Sequence, residues 1–331
     1  MKKHCFTVIL PLRNGGEYLK ECVQSVLAQT YPNFELAILE NCSGDGSHEW
    51  LQNLQDSRIK IYPSDDSLDI EKNWSRALSI PRQEYMTFIG HDDKLTPNFL
   101  QVLNELINSQ PDASLYQTHY QSIDQNGNAF GSVEKIPDQE NASELLRAFL
   151  TFQRKSYSGF AMSSAHYDQV GGIPAFPRLL WADVVLWLRL TQISYKATAP
   201  ETCFLLRVHP DSVGVSSQWS SILAALDKFS DFLLEDKKHA KIIGEHAPGY
   251  FLQHAQLIYL LALVEATKNN TQIEPTVLPH IRKAMGKISP ELSAQVGNTR
   301  SLRIRSFINQ YSTLRSVYRR YIQWRYGQEH L

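Results

Sequence analysis

Short apolar runs alternate with segments of helical periodicity through the first hundred residues. Phe6-Thr7-Val8-Ile9-Leu10 is almost continuously apolar, as expected of a strand covered on both faces in a parallel sheet. Pro11-Leu12-Arg13-Asn14-Gly15-Gly16 ends it, and Tyr18-Leu19, Cys22-Val23 and Val26-Leu27 then recur at helical spacing. Further strands are predicted over residues 34–39 and 59–62, with helices over 48–53 and 70–79. A fourth strand over 86–89 runs into Gly90-His91-Asp92-Asp93; Thr96-Pro97 then reads as the cap and first position of a helix over 98–108. This β-α-β-α-β-α-β order predicts the α/β class, with a mostly parallel, doubly wound sheet.

The pattern then changes twice. Tyr116 and Tyr120 stand in predicted strands ahead of Asp124-Gln125-Asn126-Gly127-Asn128, whose Asn-Gly pair is a hairpin turn signal. Beyond residue 216 the periodicity is helical, with amphipathic segments over 222–234, 250–267 and 277–285. The boundary implied is a first domain over 1–215 and a C-terminal helical region over 216–331.

Composition narrows the function. A chain of 331 residues with 43% hydrophobic content can build about two ordinary cores. A formal net charge of -1 supplies no global field for nucleic acid, so nucleic-acid binding is not expected. Cys5, Cys22, Cys42 and Cys203 have neither metal-ligand nor disulfide-framework spacing, which suits a reducing cytoplasm. Met1-Lys2-Lys3 precedes an apolar run, but Pro11 and Arg13 cut that run too short for a signal peptide. One local charge stands out. Residues 300–326 carry Arg300, Arg303, Arg305, Arg315, Arg319, Arg320 and Arg325 without an acid, among Leu302, Ile304, Phe307, Tyr311 and Trp324. A basic amphipathic helix of this kind suits an anionic membrane surface, placing the protein peripherally at the inner face of the membrane. A solvated arginine face or a homo-oligomer contact is the competing reading.

Asp92-Asp93 falls at the carboxyl end of a strand, where open α/β sheets bind ligands. Mg²⁺ and Mn²⁺ are held there by one or two carboxylates together with substrate phosphates. Solvated turn residues before a helix would look the same. The first turn lacks Gly-x-Gly-x-x-Gly and the chain has no Gly-Lys-Ser/Thr loop, so a bound nucleotide would lack a glycine phosphate cradle.

The ordered series Val8-Ile9-Leu10-Pro11-Leu12-Arg13-Asn14, Gln29-Thr30-Tyr31-Pro32, Ser43-Gly44-Asp45-Gly46-Ser47, Asn73-Trp74, Asp92-Asp93, Val170-Gly171-Gly172, Asp183-Val184-Val185-Leu186-Trp187 and Arg207-Val208-His209 resembles family 2 nucleotide-sugar glycosyltransferases with the GT-A fold. The likeness covers roughly residues 5 to 215 and points to bacterial cell-surface glycan synthesis: capsule, lipopolysaccharide or exopolysaccharide. It implies an inverting transfer from a nucleotide-diphosphate sugar, with UDP the expected nucleotide, to a glycan or lipid-linked acceptor. Asp93 and His209 would hold Mn²⁺ or Mg²⁺, and Asp183 would be the general base. Donor contacts would come from Pro11, Leu12, Arg13, Glu17, Glu40, Asn41, Asn73, Arg76, His91 and Asp92.

Three departures from the family pattern bear on those roles. Glu40-Asn41 replaces the usual acidic pair, Gly90-His91 precedes the last two aspartates in place of Asp-x, and Ala182 stands before Asp183 where Glu is common. Each assignment has a plainer counterpart. Asp183 also suits a helix N-cap, Arg76 a solvated helix charge, His91 a packing residue and Trp74 the core. A sugar-nucleotide nucleotidyltransferase, or a non-catalytic sugar- or membrane-binding relative, is the alternative at the level of the whole chain.

Overall fold

The computed structural model describes residues 1–133, 135–210, 212, 217–269, 271–296, 298–311, 313–315, 317–318 and 320. The chain divides into two compact units. The first comprises Met1–Leu145, Arg154–Ala175 and Ala182–His209; the second comprises Leu146–Gln153, Phe176–Trp181 and Pro210–Leu331.

In the first unit, β1 (Phe6–Leu12), α1 (Gly16–Leu27), β2 (Phe34–Glu40), α2 (Ser47–Gln52), β3 (Ile59–Tyr62), α3 (Ile70–Ser75) and β4 (Tyr85–Phe88) follow the predicted alternation. A short β5 (Lys94–Leu95) leads to α4 (Phe99–Ser109), then to β6 (Leu115–Ile123) and β7 (Ala129–Phe130). β8 (Gln139–Glu140), α5 (Ala142–Leu150), β9 (Ala161–Ser163), α6 (Ser164–Gln169), α7 (Ala182–Ile193) and β10 (Lys196–Arg207) complete it, α5 running on into the second unit. Every residue of β1 is buried, as its unbroken apolar run requires of a central strand.

The sheet order is β3-β2-β1-β4-β9-β6-β10-β5, with β7 on β6 and β8 on β10. β3, β2, β1 and β4 are parallel, whereas β9 runs antiparallel to both β4 and β6. Two antiparallel steps restore direction, so β6 and its parallel partner β10 point the same way as β4. The carboxyl ends of β1, β2, β3, β4, β6 and β10 therefore open at one edge. Antiparallel pairing of β5 with β10 sets Lys94 opposite Leu205, which carries the turn after β4 to the end of β10.

Local corrections have simple causes. The α4 helix starts at Phe99 with Asn98 in the capping position, and the Thr96 hydroxyl donates to Asn98 Oδ1 at 2.7 Å; Thr96 does not cap. The helix predicted over 70–79 closes as a tighter 3₁₀ turn from Arg76 to Leu78. The hairpin turn forms between β6 and β7, with Asp124 Oδ1 accepting from the N–H groups of Asn126 and Asn128 at 2.9 and 2.8 Å.

The second unit contains α8 (Trp219–Glu235), α9 (Ala240–Lys268), α10 (Val277–Ile288), α11 (Pro290–Val296) and α12 (Arg300–Gln310). It also claims two short segments that the sequence placed in a contiguous 1–215 domain. Aromatic packing explains this: Phe152 stacks on Tyr250 at 4.8 Å, Trp181 on Phe229 at 6.1 Å, and the Lys228 ammonium lies over Phe176. The helix expected across 300–326 is interrupted after Gln310, where Tyr311 turns extended at φ -118°, and residues 313–315, 317–318 and 320 are helical again. Residues 312, 316, 319 and 321–326 of that stretch, Arg319 and Arg325 among them, lie outside the described residues, as does the sequence boundary at 213–216.

Candidate active site

The turn after β1 is latched to the turn after β2. Asn14, at φ 52°, takes a bond from Gly44 N–H on its Oδ1 (2.9 Å) and donates its own N–H to Ser43 Oγ (3.0 Å). Gly15 N–H donates to Ser47 Oγ, and Gly16 N–H to Asp45 Oδ2 at 2.9 Å. The Ser-Gly-Asp-Gly-Ser stretch is thus a clasp built from polar side chains on backbone amides.

Most donor-side candidates gather around this clasp, committed to backbone contacts. Pro11 and Leu12 are buried at the end of β1. Asn41, buried, brackets Leu68 by donating to its carbonyl (2.9 Å) and accepting from its N–H (2.8 Å), while Arg13 Nη1 reaches the same carbonyl. Glu40, also buried, accepts from Ser43 N–H at 2.7 Å, with His48 Nδ1 3.5 Å from its other oxygen. Asn73 donates to Leu39 O. Arg76 donates through Nη1 to Glu40 O and Asn73 Oδ1 and through Nη2 to Tyr62 O and Pro63 O. Burial holds its pKa below the usual arginine value. Its guanidinium ties together the carboxyl ends of β2 and β3, a structural task the sequence did not suggest. Glu17 lies apart from these contacts, 83% exposed and paired with Lys20 at 2.6 Å.

The two aspartates differ sharply. Asp92 remains partly open, its Oδ2 3.1 Å from His209 Nε2. Asp93 is buried, accepting from Arg207 N–H on Oδ1 (2.9 Å) and from the Ser158 hydroxyl on Oδ2 (3.0 Å). Burial first, and the adjacent Asp92 charge second, push the Asp93 carboxyl well above the ordinary aspartate range. Gly90 makes this packing feasible: a Cβ there would stand 2.7 Å from Asp92 Oδ1 and 3.0 Å from Asp93 Oδ2. His91 is half-buried in the same turn.

Arg207 holds the turn in place. Besides its backbone bond to Asp93, it donates from Nε to Asp92 O (2.8 Å), from Nη1 to Asp124 O and Gln125 O, and from Nη2 to Glu21 Oε2 (2.9 Å). Its guanidinium lies 4.4 Å from the Tyr18 ring centre, and that ring is 5.2 Å from His209. Partial burial works against the Glu21 charge, but Lys94 and Arg207 together keep its pKa below normal. Arg207 stands in the Arg207-Val208-His209 motif, whose resemblance assigns a role to the histidine and none to the arginine. Glu21 and Tyr18 carried no signal beyond helical spacing.

The residues suit a divalent cation in a particular way. Asp92 and His209 offer an oxygen and a nitrogen side by side, and Mg²⁺ or Mn²⁺ completes its shell with water and phosphate. Asp93, expected as a ligand, accepts one hydrogen bond on each of its oxygens, from Arg207 N–H and from the Ser158 hydroxyl. Among the described residues no group of three or more His, Cys, Asp or Glu side chains is arranged to enclose a metal.

Asp183 sits in the first turn of α7, and its Oδ1 accepts from Val184 N–H at 2.9 Å. Burial raises its pKa, against the lowering effect of a bond from Ser156. Ser156 and Ser158 are two residues apart, at most about 7 Å between α-carbons. One short segment thus serves both Asp183 and Asp93, and between the serines Tyr157 packs against Tyr120 at 4.3 Å and donates to Thr118 O. Buried Arg154, paired with Glu140 at 2.6 Å, anchors its start; Lys196 meets the same carboxylate at 2.6 Å.

Comparison with known proteins agrees with this architecture. Residues 7–166 match the family model described as Glycosyl transferase family 2. The chain is 28% identical over 126 residues to glycosyltransferase GlyG of Streptococcus pneumoniae serotype 4, covering 38% of this chain and 42% of GlyG. It is 24% identical over 222 residues to the putative teichuronic acid biosynthesis glycosyltransferase TuaG of Bacillus subtilis, covering 66% of this chain and 84% of TuaG. Thus the chain spans less than half of GlyG and most of TuaG. Among solved structures, S. aureus TarS 1-349 in complex with UDP-GlcNAc superposes with a TM-score of 0.69 at 14% identity, over 96% of this chain and 92% of that one. At that identity the likeness establishes the shared fold.

Proposed function

The chain carries a family 2 glycosyltransferase domain over residues 7–166, and on that premise we propose that it transfers a sugar from a nucleotide-diphosphate sugar to a cell-surface glycan or lipid-linked saccharide. The observation that carries this reading is the pairing of Asp92 with His209 at the carboxyl edge of the sheet, fixed from below by Arg207. UDP is the favoured nucleotide, since the TarS structure of like fold holds UDP-GlcNAc. A bacterial wall or surface polymer is the favoured product, since TuaG is assigned to teichuronic acid biosynthesis.

In this reading Asp92 and His209 would hold Mn²⁺ or Mg²⁺, which would supply Lewis-acid stabilisation of the departing diphosphate. Arg207 and Ser158 keep the aspartate turn in place through Asp93. Asp183 takes the proton of the acceptor hydroxyl as its oxygen attacks the anomeric carbon. The bond from that carbon to the diphosphate breaks, and nucleoside diphosphate leaves. A single base acting on the face opposite the leaving group makes the displacement direct, with inversion at the anomeric centre. The raised pKa of Asp183 suits a group that must accept a proton.

The described part of residues 300–326 also supports an approach to an anionic membrane, where lipid-linked acceptors reside. Arg300, Arg303, Ile304 and Phe307 recur at helical spacing on the exposed side of α12, Ile304, Phe307 and the following Tyr311 are about half exposed, and Leu302 is the buried residue of α12.

The test is thermal stability with UDP, GDP, CDP and dTDP, with Mn²⁺ or with chelator, on the wild type and on Asp92→Ala. A metal-dependent rise for one nucleotide, lost in the variant, supports the transferase. No rise with any nucleotide supports the non-catalytic reading. Flotation with vesicles containing phosphatidylglycerol, compared with phosphatidylcholine alone, tests the membrane contact.

A further inference from the structure

The second unit holds a cluster of aromatic rings around a backbone that is strained in an unusual way. The α5 helix ends with Phe152 N–H donating to Phe149 O and Gln153 N–H donating to Ala148 O at 2.8 Å. That pair of bonds is a Schellman ending, which requires the left-handed region at residue 152, and glycine ordinarily fills that position. Here it is a phenylalanine at φ 58°. Arg178, Leu179 and Trp181 also have positive φ, at 56°, 57° and 63°. A bulky residue in this region is an outlier, and such outliers cluster at active sites, ligand clamps and switch regions.

What the strain presents is a ring with an open side. Phe152 stacks against Tyr250 at 4.8 Å and 22°, lies 5.7 Å from His254, and yet remains 46% exposed. Burial therefore repays only part of the cost of placing it there. The rings beneath it contact one another: Trp181 Nε1 donates to the Tyr250 hydroxyl at 2.6 Å, Trp181 meets His254 edge-on at 5.2 Å, and Tyr250 lies 4.3 Å from His254. Tyr250 O can only accept, so its 2.9 Å bond to His254 Nδ1 puts the proton on Nδ1 and leaves Nε2 as an acceptor. Burial lowers the His254 pKa, which keeps the ring neutral.

From this arrangement we infer that Phe152, supported by Tyr250, His254 and Trp181, is a stacking platform for a pyranose ring of the acceptor glycan. The C–H groups on one face of a pyranose carry partial positive charge and suit the electron-rich face of an aromatic ring, while a neutral imidazole nitrogen suits a sugar hydroxyl. An acceptor is favoured over a donor because the donor-side candidates Arg13, Glu40, Asn41, Asn73 and Arg76 belong to the first unit and the platform residues to the second. That assignment rests on the transferase reading; the existence of the platform does not.

The experiment uses the full chain, fluorescently labelled, on an array of immobilised bacterial surface polysaccharides. Phe152→Asn removes the ring while keeping a residue that tolerates left-handed backbone, so its melting temperature should match or exceed that of the wild type. The wild type should retain at least one glycan, Phe152→Asn should weaken that signal by about tenfold or more, and Phe152→Tyr should restore it to within about twofold. Failure of the wild type to retain any glycan, or equal retention by Phe152→Asn, overturns the platform. UDP-dependent thermal shifts on the same samples separate the two ideas. Glycan retention without a nucleotide shift removes the transferase reading and leaves the platform standing.

Discussion

Arg207 grips two consecutive aspartates by different means: its backbone N–H donates to Asp93 Oδ1 at 2.9 Å and its Nε to the Asp92 carbonyl at 2.8 Å. Asp92 is thereby left to face His209 while Asp93 is drawn inward. Arg207→Lys keeps a charge but cannot reproduce the planar fork that also reaches Asp124 O, Gln125 O and Glu21. Loss of buried hydrogen bonds of this kind costs about 1–3 kcal/mol. Urea unfolding should show that loss, and UDP binding should weaken with it. Unchanged nucleotide affinity in a destabilised variant would separate Arg207 from the site.

Gly90→Ala tests the close approach directly. The added methyl meets Asp92 Oδ1 at 2.7 Å, so the aspartate turn must shift. We expect a folded protein whose metal-dependent UDP thermal shift is lost or much reduced. An unaltered shift means the turn adapts and its geometry is not critical.

For Asp183 the sign of the pH effect can be worked out. Burial raises its pKa, so the charged form required of a base is lost as pH falls through a value above the ordinary aspartate one. The acidic limb of kcat/KM should lie in that higher range. The same shift means that the fold prefers a neutral side chain, and its contribution to stability declines as pH rises from the unfolded to the folded pKa. Asp183→Asn should therefore be at least as stable at neutral pH, bind UDP normally and lose about 10²–10⁴-fold in transfer. A destabilised Asp183→Asn with intact transfer contradicts both parts.

Arg76 separates a structural from a donor-binding role. Hydrogen bonds from its guanidinium to Glu40 O, Asn73 Oδ1, Tyr62 O and Pro63 O join the ends of β2 and β3. Arg76→Ala should lower stability by about 1–2 kcal/mol, with UDP affinity changing only a few-fold. A large loss of affinity at unchanged stability would restore the donor contact read from the sequence.

Glu140 bears on the site at a distance. It balances buried Lys196 and Arg154, and Arg154 begins the segment that delivers Ser156 and Ser158. Removing one partner of a buried ion pair typically costs about 3–5 kcal/mol. Glu140→Gln should show a loss of that order by urea unfolding, and its absence would mean that the pair is replaceable.

The alternation of apolar runs and helical spacing was enough to place β1, α1, β2, α2, β3 and β4, because a strand covered on both faces leaves a continuous apolar signature that needs no partner to recognise. The Asn126-Gly127 turn was equally local, since the backbone of a tight hairpin restricts which residues fit. The aspartate pair and its place at a strand end could be read the same way. Which aspartate faces outward could not. That depends on β9 reversing direction between β4 and β6, so that β10 ends beside the Asp92-Asp93 turn and Arg207, more than a hundred residues away, can hold it. The same holds for Ser156, Ser158 and the rings around Phe152. Their significance lies in contacts between distant segments, and a linear pattern records what a residue is without recording what it meets.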